Sequence, residues 1–227
     1  MSSPVVAIDG PAASGKSSTA GAVAGRLGFL HVDSGALYRG LTRVAVDAGG
    51  SPSAQQILRS AEARRLGYRL SGGGLALYLD GEPAEARIRG GDVTAAVSAV
   101  SAMPEVRDWV NHRLQALVGL GTPLVVDGRD IGTAVFPDAA VKVYLLASPE
   151  VRARRRLRQR GEAAGPEAVA AETGRIADRD FADSTRAVAP LRPAGDAVLV
   201  DTSHLGFEDQ VARIVDIARR AGLPGAG

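Results

Sequence analysis

Gly10-Pro11-Ala12-Ala13-Ser14-Gly15-Lys16-Ser17-Ser18 follows the apolar run Pro4-Val5-Val6-Ala7-Ile8-Asp9 and leads into the Ala- and Gly-rich stretch 19–27. The order predicts a strand, a glycine-rich turn and a helix, with G-x-x-x-x-G-K-[ST] at the turn. Backbone N–H groups of such a turn wrap a polyphosphate, and the helix N-terminus adds the positive end of its dipole. Lys16 is long enough to reach the β- and γ-phosphates, and the Ser17 hydroxyl is a ligand for Mg²⁺. This segment is a P-loop, and nucleotide binding is the first functional expectation.

Outward from the loop, strands and helices alternate. A short extended piece, 29–32, precedes Asp33-Ser34-Gly35, which caps a helix over 36–48, and a further helix is expected over 53–66. Tyr68 to Leu79 then breaks into short alternating runs around Gly72-Gly73-Gly74, with Asp80-Gly81 beyond, as small antiparallel strands do. Helices over 92–101 and 104–118 follow, with Pro104 in a tolerated first-turn position. Strands are expected at 123–127, 140–146 and 197–200, and helices at 150–160, 166–180 and 207–221. Four strands are apolar throughout, which implies an α/β fold whose parallel sheet is covered by helices on both faces. The chain reads as a single domain over 1–227, with a β-hairpin insertion at 66–91.

Composition narrows the class. At 45% hydrophobic the 227 residues support a packed core, and at 4% aromatic that core must be aliphatic. Without cysteine there are no disulfides, thiolate metal sites or cysteine nucleophile, which suits a reducing, cytoplasmic setting. No apolar stretch is long enough for a membrane span, and the opening residues carry no secretory pattern. A net charge of +2 is too small to argue for a nucleic-acid partner. Only Lys16 and Lys142 are lysines, so each of the many arginines must be judged by its setting. His31, His112 and His204 are isolated and are expected in surface or core roles.

Three further polar motifs are expected just after strands or at helix starts: Asp33-Ser34-Gly35-Ala36-Leu37-Tyr38-Arg39, Asp127-Gly128-Arg129-Asp130-Ile131-Gly132-Thr133 and Arg179-Asp180-Phe181-Ala182-Asp183-Ser184-Thr185-Arg186. Ligands of parallel α/β sheets sit beyond the carboxyl ends of the strands, which puts Asp127 to Asp130 near the P-loop ligand. Asp127 either ends its strand or serves indirectly, through water on a metal. With no N-K-x-D there is no guanine-reading switch. From the P-loop through D-S-G-x-x-Y-R, D-G-R-D-x-G-T-x-V-F-P and R-D-x-x-D-S-x-R-x-V-A-P-L, over nearly all of 4–220, the chain resembles the bacterial cytidylate kinases.

That resemblance implies transfer of the γ-phosphoryl of ATP to CMP or dCMP, giving CDP or dCDP and ADP. The same chemistry on UMP or AMP, or a non-catalytic nucleotide-binding regulator, are the alternatives. The resemblance assigns Gly10, Pro11, Ala12, Ala13, Ser14, Gly15, Lys16, Ser17 and Ser18 to ATP, with Lys16 and Arg129 catalytic and Ser17 on Mg²⁺. Ser34, Arg39 and Arg129 match positions around the acceptor α-phosphate; Arg179 and Asp183, with Arg186 beside them, match the sugar. Asp130 is assigned to cytosine N4, with Ser98 and Arg107 as further base contacts. A carboxylate accepts from the N4 amino group but meets an acceptor at uracil O4. The family also carries a mobile lid, here 150–186, where Arg152, Arg155 and Arg156 match lid positions and one or two are expected to swing onto ATP phosphates. The partners implied are nucleotides alone, with no nucleic acid or membrane, and a monomer. Two departures stand out: Ala13 replaces a usual glycine and is expected at negative φ, and Ser18 replaces a frequent threonine.

Overall fold

β1 (Val5–Asp9) is buried along its whole length, as the run of Val, Ala and Ile side chains on both faces demands. The computed structural model describes residues 3–71 and 74–224. β1 is the middle strand of a five-stranded sheet ordered β2 (Leu30–Asp33), β6 (Leu124–Gly128), β1, β7 (Val141–Leu146) and β8 (Val198–Asp201). β1 runs parallel to both β6 and β7, and β7 parallel to β8. Strand order reverses direction at β1, so the crevice beyond its carboxyl end is the topological switch point at which such sheets bind ligands. The expected α/β class and parallel sheet are observed.

Two compact units divide the chain, one of Met1–His31 with Thr122–Gly227 and the other of Val32–Gly121. In the first, α1 (Lys16–Leu27) and α9 (Phe207–Arg220) pack on one face of the sheet. Their Ala20, Val23, Leu27, Val211, Ile214 and Val215 meet Val6, Ile8, Val125 and Val143 in one aliphatic cluster. A helix pair, α7 (Pro149–Gln159) and α8 (Pro166–Thr185), builds a second cluster from Ala153, Leu157, Val169 and Ile176, joined by Ala12 of the P-loop.

The second unit holds α2 (Ser34–Ala48), α3 (Ala54–Ala63), β3 (Gly67–Ser71), β4 (Gly74–Leu79), β5 (Glu82–Pro83), α4 (Glu85–Ile88), α5 (Gly91–Ala102) and α6 (Pro104–Ala116). β3, β4 and β5 form the small antiparallel sheet, with Gly67 opposite Tyr78 and Tyr78 opposite Pro83. Gly72 and Gly73 of the expected turn lie outside the described residues.

One helix is longer than expected. α8 continues past 180 to Thr185, because residues 181–185 hold no glycine or proline and the Ser184 and Thr185 hydroxyls bond back to the Phe181 carbonyl at 3.0 and 2.7 Å. The Arg179 to Arg186 motif is therefore not at a helix start. It occupies the last turns of α8, where spacings of four and three bring Arg179, Asp183 and Arg186 toward one side.

Candidate active site

The P-loop is shaped by what each residue permits. Gly10 sits so close to β7 that a Cβ there would stand 2.5 Å from the Leu145 carbonyl oxygen. Gly15 adopts φ 91° as it enters α1, a conformation open to glycine at little cost. Ala13 is a correction to expectation: its φ is 58°, in the left-handed region, despite its methyl group. Side chains disfavour that region by about 1–2 kcal/mol, so the loop is held there by its surroundings.

Lys16 is buried in the first turn of α1, and its Nζ donates to the Pro11 carbonyl at 2.7 Å and to Ser14 Oγ at 3.3 Å. Burial holds its ammonium well below the usual lysine range; the like charges of Arg129 and Arg179 push the same way, against Asp127 and Asp9. Three cations thus crowd the mouth of the loop. An anion placed there would relieve their repulsion.

Beyond β6, Arg129 Nε donates to Asp183 Oδ2 at 2.8 Å and its Nη1 to the Gly10 carbonyl at 3.1 Å. Arg186 Nη2 reaches Asp130 Oδ1 at 3.1 Å, and its Nη1 stands 3.9 Å from Asp183 Oδ1. The structure therefore brings together Lys16, Arg129, Asp130, Arg179, Asp183 and Arg186, as expected from the motifs, and interleaves carboxylates with guanidinium groups. The carboxylates hold the guanidinium forks in place, and such forks suit bidentate recognition of phosphate oxygens.

Asp9 lies outside the expected set. Its two carboxylate oxygens accept from Ile131 N and Gly132 N, both at 2.8 Å, and so hold the start of a wide turn over Ile131–Val135. Asp9 thereby ties the strand leading into the P-loop to the segment that presents Arg129 and Asp130. Burial raises its carboxyl to about 6, opposed by those two N–H groups. His31 was also missed: Nε2 lies 2.8 Å from Asp127 Oδ1, while Ser17 Oγ donates to Asp127 Oδ2 at 2.7 Å.

Ser17 and Asp127 offer a hydroxyl and a buried carboxylate beside the phosphate cradle. Among the described residues no group of three or more His, Cys, Asp or Glu could hold a metal ion. That donor set fits Mg²⁺, which keeps most of its water and takes one or two protein oxygens plus nucleotide phosphates.

Flanking the loop is a cleft of about 580 Å³ lined by Ala13, Gly15 and Ser18, by Arg156 of α7 and by Phe207 of α9. Of the three expected lid arginines, Arg155 and Arg156 line this cleft and Arg152 does not. Arg152 and Arg155 are engaged by the loop backbone, Arg155 donating to the carbonyls of Ser14 at 3.2 Å and Thr202 at 2.7 Å.

Within the second unit, Asp33 caps α2 by accepting from Ala36 N at 3.2 Å. This leaves Ser34 buried in the first turn. Arg39 is buried and donates to Thr94 Oγ1 at 3.1 Å. Arg107, 1% exposed, is no solvated helix charge. It donates to the Ser101 carbonyl at 3.2 Å and lies 5.5 Å from the centre of the Tyr38 ring. Ser98 is half-buried on α5, and its carbonyl accepts from Ser101 Oγ at 3.1 Å. No helix among the described residues is long and apolar enough to cross a membrane.

A glycine-rich loop at the switch point of a parallel sheet, closing on a buried lysine among arginines, defines a P-loop phosphotransferase. The cytidylate kinase family model matches residues 6–220, and the chain belongs to the cytidylate kinase family. It is 46% identical to the cytidylate kinase of Rhodococcus jostii over 215 residues, 93% of each chain. It is also 46% identical to that of Mycobacterium avium over 221 residues, 95% of each. Among solved structures, an uncharacterized protein from Eubacterium ventriosum shares the fold at a TM-score of 0.54 and 10% identity, covering 96% of this chain and 98% of that one.

Proposed function

We infer that the chain transfers the γ-phosphoryl group of ATP to CMP or dCMP. An oxygen of the acceptor phosphate attacks the γ-phosphorus in line, the bond to the β,γ-bridging oxygen breaks, and ADP leaves. Little covalent help is needed; the protein positions two anions and neutralises charge as it shifts. The observation that carries this reading is the convergence of Lys16 and Arg129 on the glycine-rich loop, Lys16 Nζ donating to the Pro11 carbonyl at 2.7 Å and Arg129 Nη1 to the Gly10 carbonyl at 3.1 Å, a concentration of positive charge that a transferring phosphoryl group stabilises and is stabilised by.

Gly10 to Ser18 are assigned to ATP, with Arg156 as the lid arginine for its phosphates. Ser17, with Asp127 behind it, is assigned to Mg²⁺, which when bound screens the donor phosphates from each other and from the attacking oxygen. Ser34, Arg39 and Arg129 are assigned to the acceptor phosphate, Arg179, Asp183 and Arg186 to its sugar side. Asp130, Ser98 and Arg107 are assigned to cytosine. Ala13, with its backbone already in the left-handed region, is compatible with the donor role. The helix pair α7–α8 is assigned as the lid that excludes water and suppresses ATP hydrolysis.

A coupled assay of ADP formation with ATP–Mg²⁺ and a panel of acceptors tests the reading. CMP and dCMP are expected to outperform UMP and AMP. UMP clearly ahead of CMP would overturn the acceptor assignment, and ADP release independent of any acceptor would overturn the kinase reading.

A further inference from the structure

Both ends of one P-loop residue are held by a single ion pair. Ala12 N donates to Asp180 Oδ1 at 2.9 Å, and the Ala12 carbonyl accepts from Arg152 Nη1 at 3.1 Å. Arg152 and Asp180 are also bonded to each other, and Arg152 Nε is anchored on the Ala147 carbonyl at 3.0 Å. Arg152 belongs to α7 and is 6% exposed; Asp180 belongs to α8. Arg152 Nε and Nη1 are committed to backbone carbonyls and to Asp180, so the pair acts on the loop backbone itself.

Peptide geometry gives this clamp a consequence at the phosphate cradle. In a trans peptide the C=O and the following N–H point in opposite directions. Holding the Ala12 carbonyl toward Arg152 therefore turns the Ala13 N–H the other way. Arg155, one turn along α7, does the same for the next peptide but one, by holding the Ser14 carbonyl and so orienting the Gly15 N–H. A phosphate cradle works only if successive N–H groups converge while their carbonyls face away. Ala13 supplies a second tie. Its left-handed backbone leaves it packed, with Ala12, against Ala153, Leu157, Val169 and Ile176 of the helix pair.

We propose that the Arg152–Asp180 pair is a positioning element for the donor nucleotide: it sets the direction of the Ala12–Ala13 peptide and couples the α7–α8 helix pair to the P-loop. Neither residue is a catalytic group. The proposal rests on the assignment of the P-loop to ATP. It assigns the pair to donor affinity, and not to the acceptor or to the chemical step.

The test compares the wild-type chain with Asp180→Asn and Asp180→Ala. Binding of a non-hydrolysable ATP analogue with Mg²⁺ is read by calorimetry, and KM for ATP, KM for CMP and kcat are measured beside it. A charge-assisted hydrogen bond lost from a half-buried position predicts an ATP Kd and KM raised about tenfold in Asp180→Ala. Asp180→Asn keeps an oxygen for the Ala12 N–H and is expected to fall between wild type and Asp180→Ala. KM for CMP is expected to stay within about twofold. Unchanged ATP affinity in Asp180→Asn and Asp180→Ala overturns the proposal, as does a parallel rise of both KM values. If Asp180→Ala does not fold, the isosteric Asp180→Asn decides alone: unchanged ATP affinity there overturns it. A wild-type chain that binds no ATP analogue overturns the donor assignment itself, and the proposal with it.

Discussion

The Ser17 hydroxyl donates to Asp127 Oδ2 at 2.7 Å, joining the first turn of α1 to the end of β6. His31 holds the other oxygen of the same carboxylate at 2.8 Å. Asp127 is thus oriented from both sides and presents its charge toward a hydroxyl suited to Mg²⁺. Ser17→Ala and Asp127→Asn are each expected to raise the Mg²⁺ concentration needed for half-maximal rate and to lower kcat by about 10–100-fold, the range seen when supporting contacts of metal sites are removed. Titrating Mg²⁺ at fixed ATP measures both effects. Curves that superimpose on the wild type would remove the pair from the metal site.

Asp130 is buried and has one oxygen committed to Arg186 at 3.1 Å. Asp130→Asn keeps the shape but places an amide donor where uracil O4 is an acceptor. The kcat/KM ratio of CMP over UMP is expected to fall about tenfold, the worth of a mismatched polar contact. Loss of charge opposite Arg186 is expected to lower the thermal midpoint as well. An unaltered acceptor ratio would take Asp130 away from the base.

Asp9 gives stability and activity opposite slopes against pH. Burial raises its carboxyl from 3.8 to about 6. Between those values the folded chain binds a proton that the unfolded chain does not, so this group lowers stability as pH rises across the window. Above about 6 the whole cost, roughly 3 kcal/mol, is present. The ionised carboxylate is nevertheless the form that accepts from both Ile131 and Gly132. Activity is therefore expected to decline as pH falls below about 6. The acceptor phosphate titrates in the same range, so Asp9→Asn measured beside the wild type is the deciding comparison. Its stability should lose the Asp9 contribution to the slope between pH 4 and 6, and its rate should show a shallower acid limb. Superimposed rate profiles would show that Asp9 does not govern the loop.

Local patterns made much of this fold legible. The strand-turn-helix around Lys16, the apolar strands and the amphipathic closing helix each show in a short window, because burial dictates residue type directly. The site was legible where a motif is contiguous, as in Arg129 with Asp130. It was not where chemistry depends on which strands lie side by side. His31 meets Asp127 across 96 positions, through β2 lying beside β6, and nothing near either residue announces that adjacency. Asp180 is 168 positions from Ala12. Ala13 was misjudged because intrinsic preference argued for negative φ, while the contacts of the folded loop outweigh a cost of about 1–2 kcal/mol.

Position 13 is consequently narrow in what it can accommodate. A β-branched or bulky side chain is barred once by the backbone angle and again by the aliphatic wall its methyl touches. Asparagine and aspartate tolerate the angle but would push a polar head into that wall. Glycine and alanine are left as the two workable occupants, and alanine trades torsional ease for an extra hydrophobic foothold. Among natural variants of this chain, drift at that codon should therefore oscillate between those two residues and go no further.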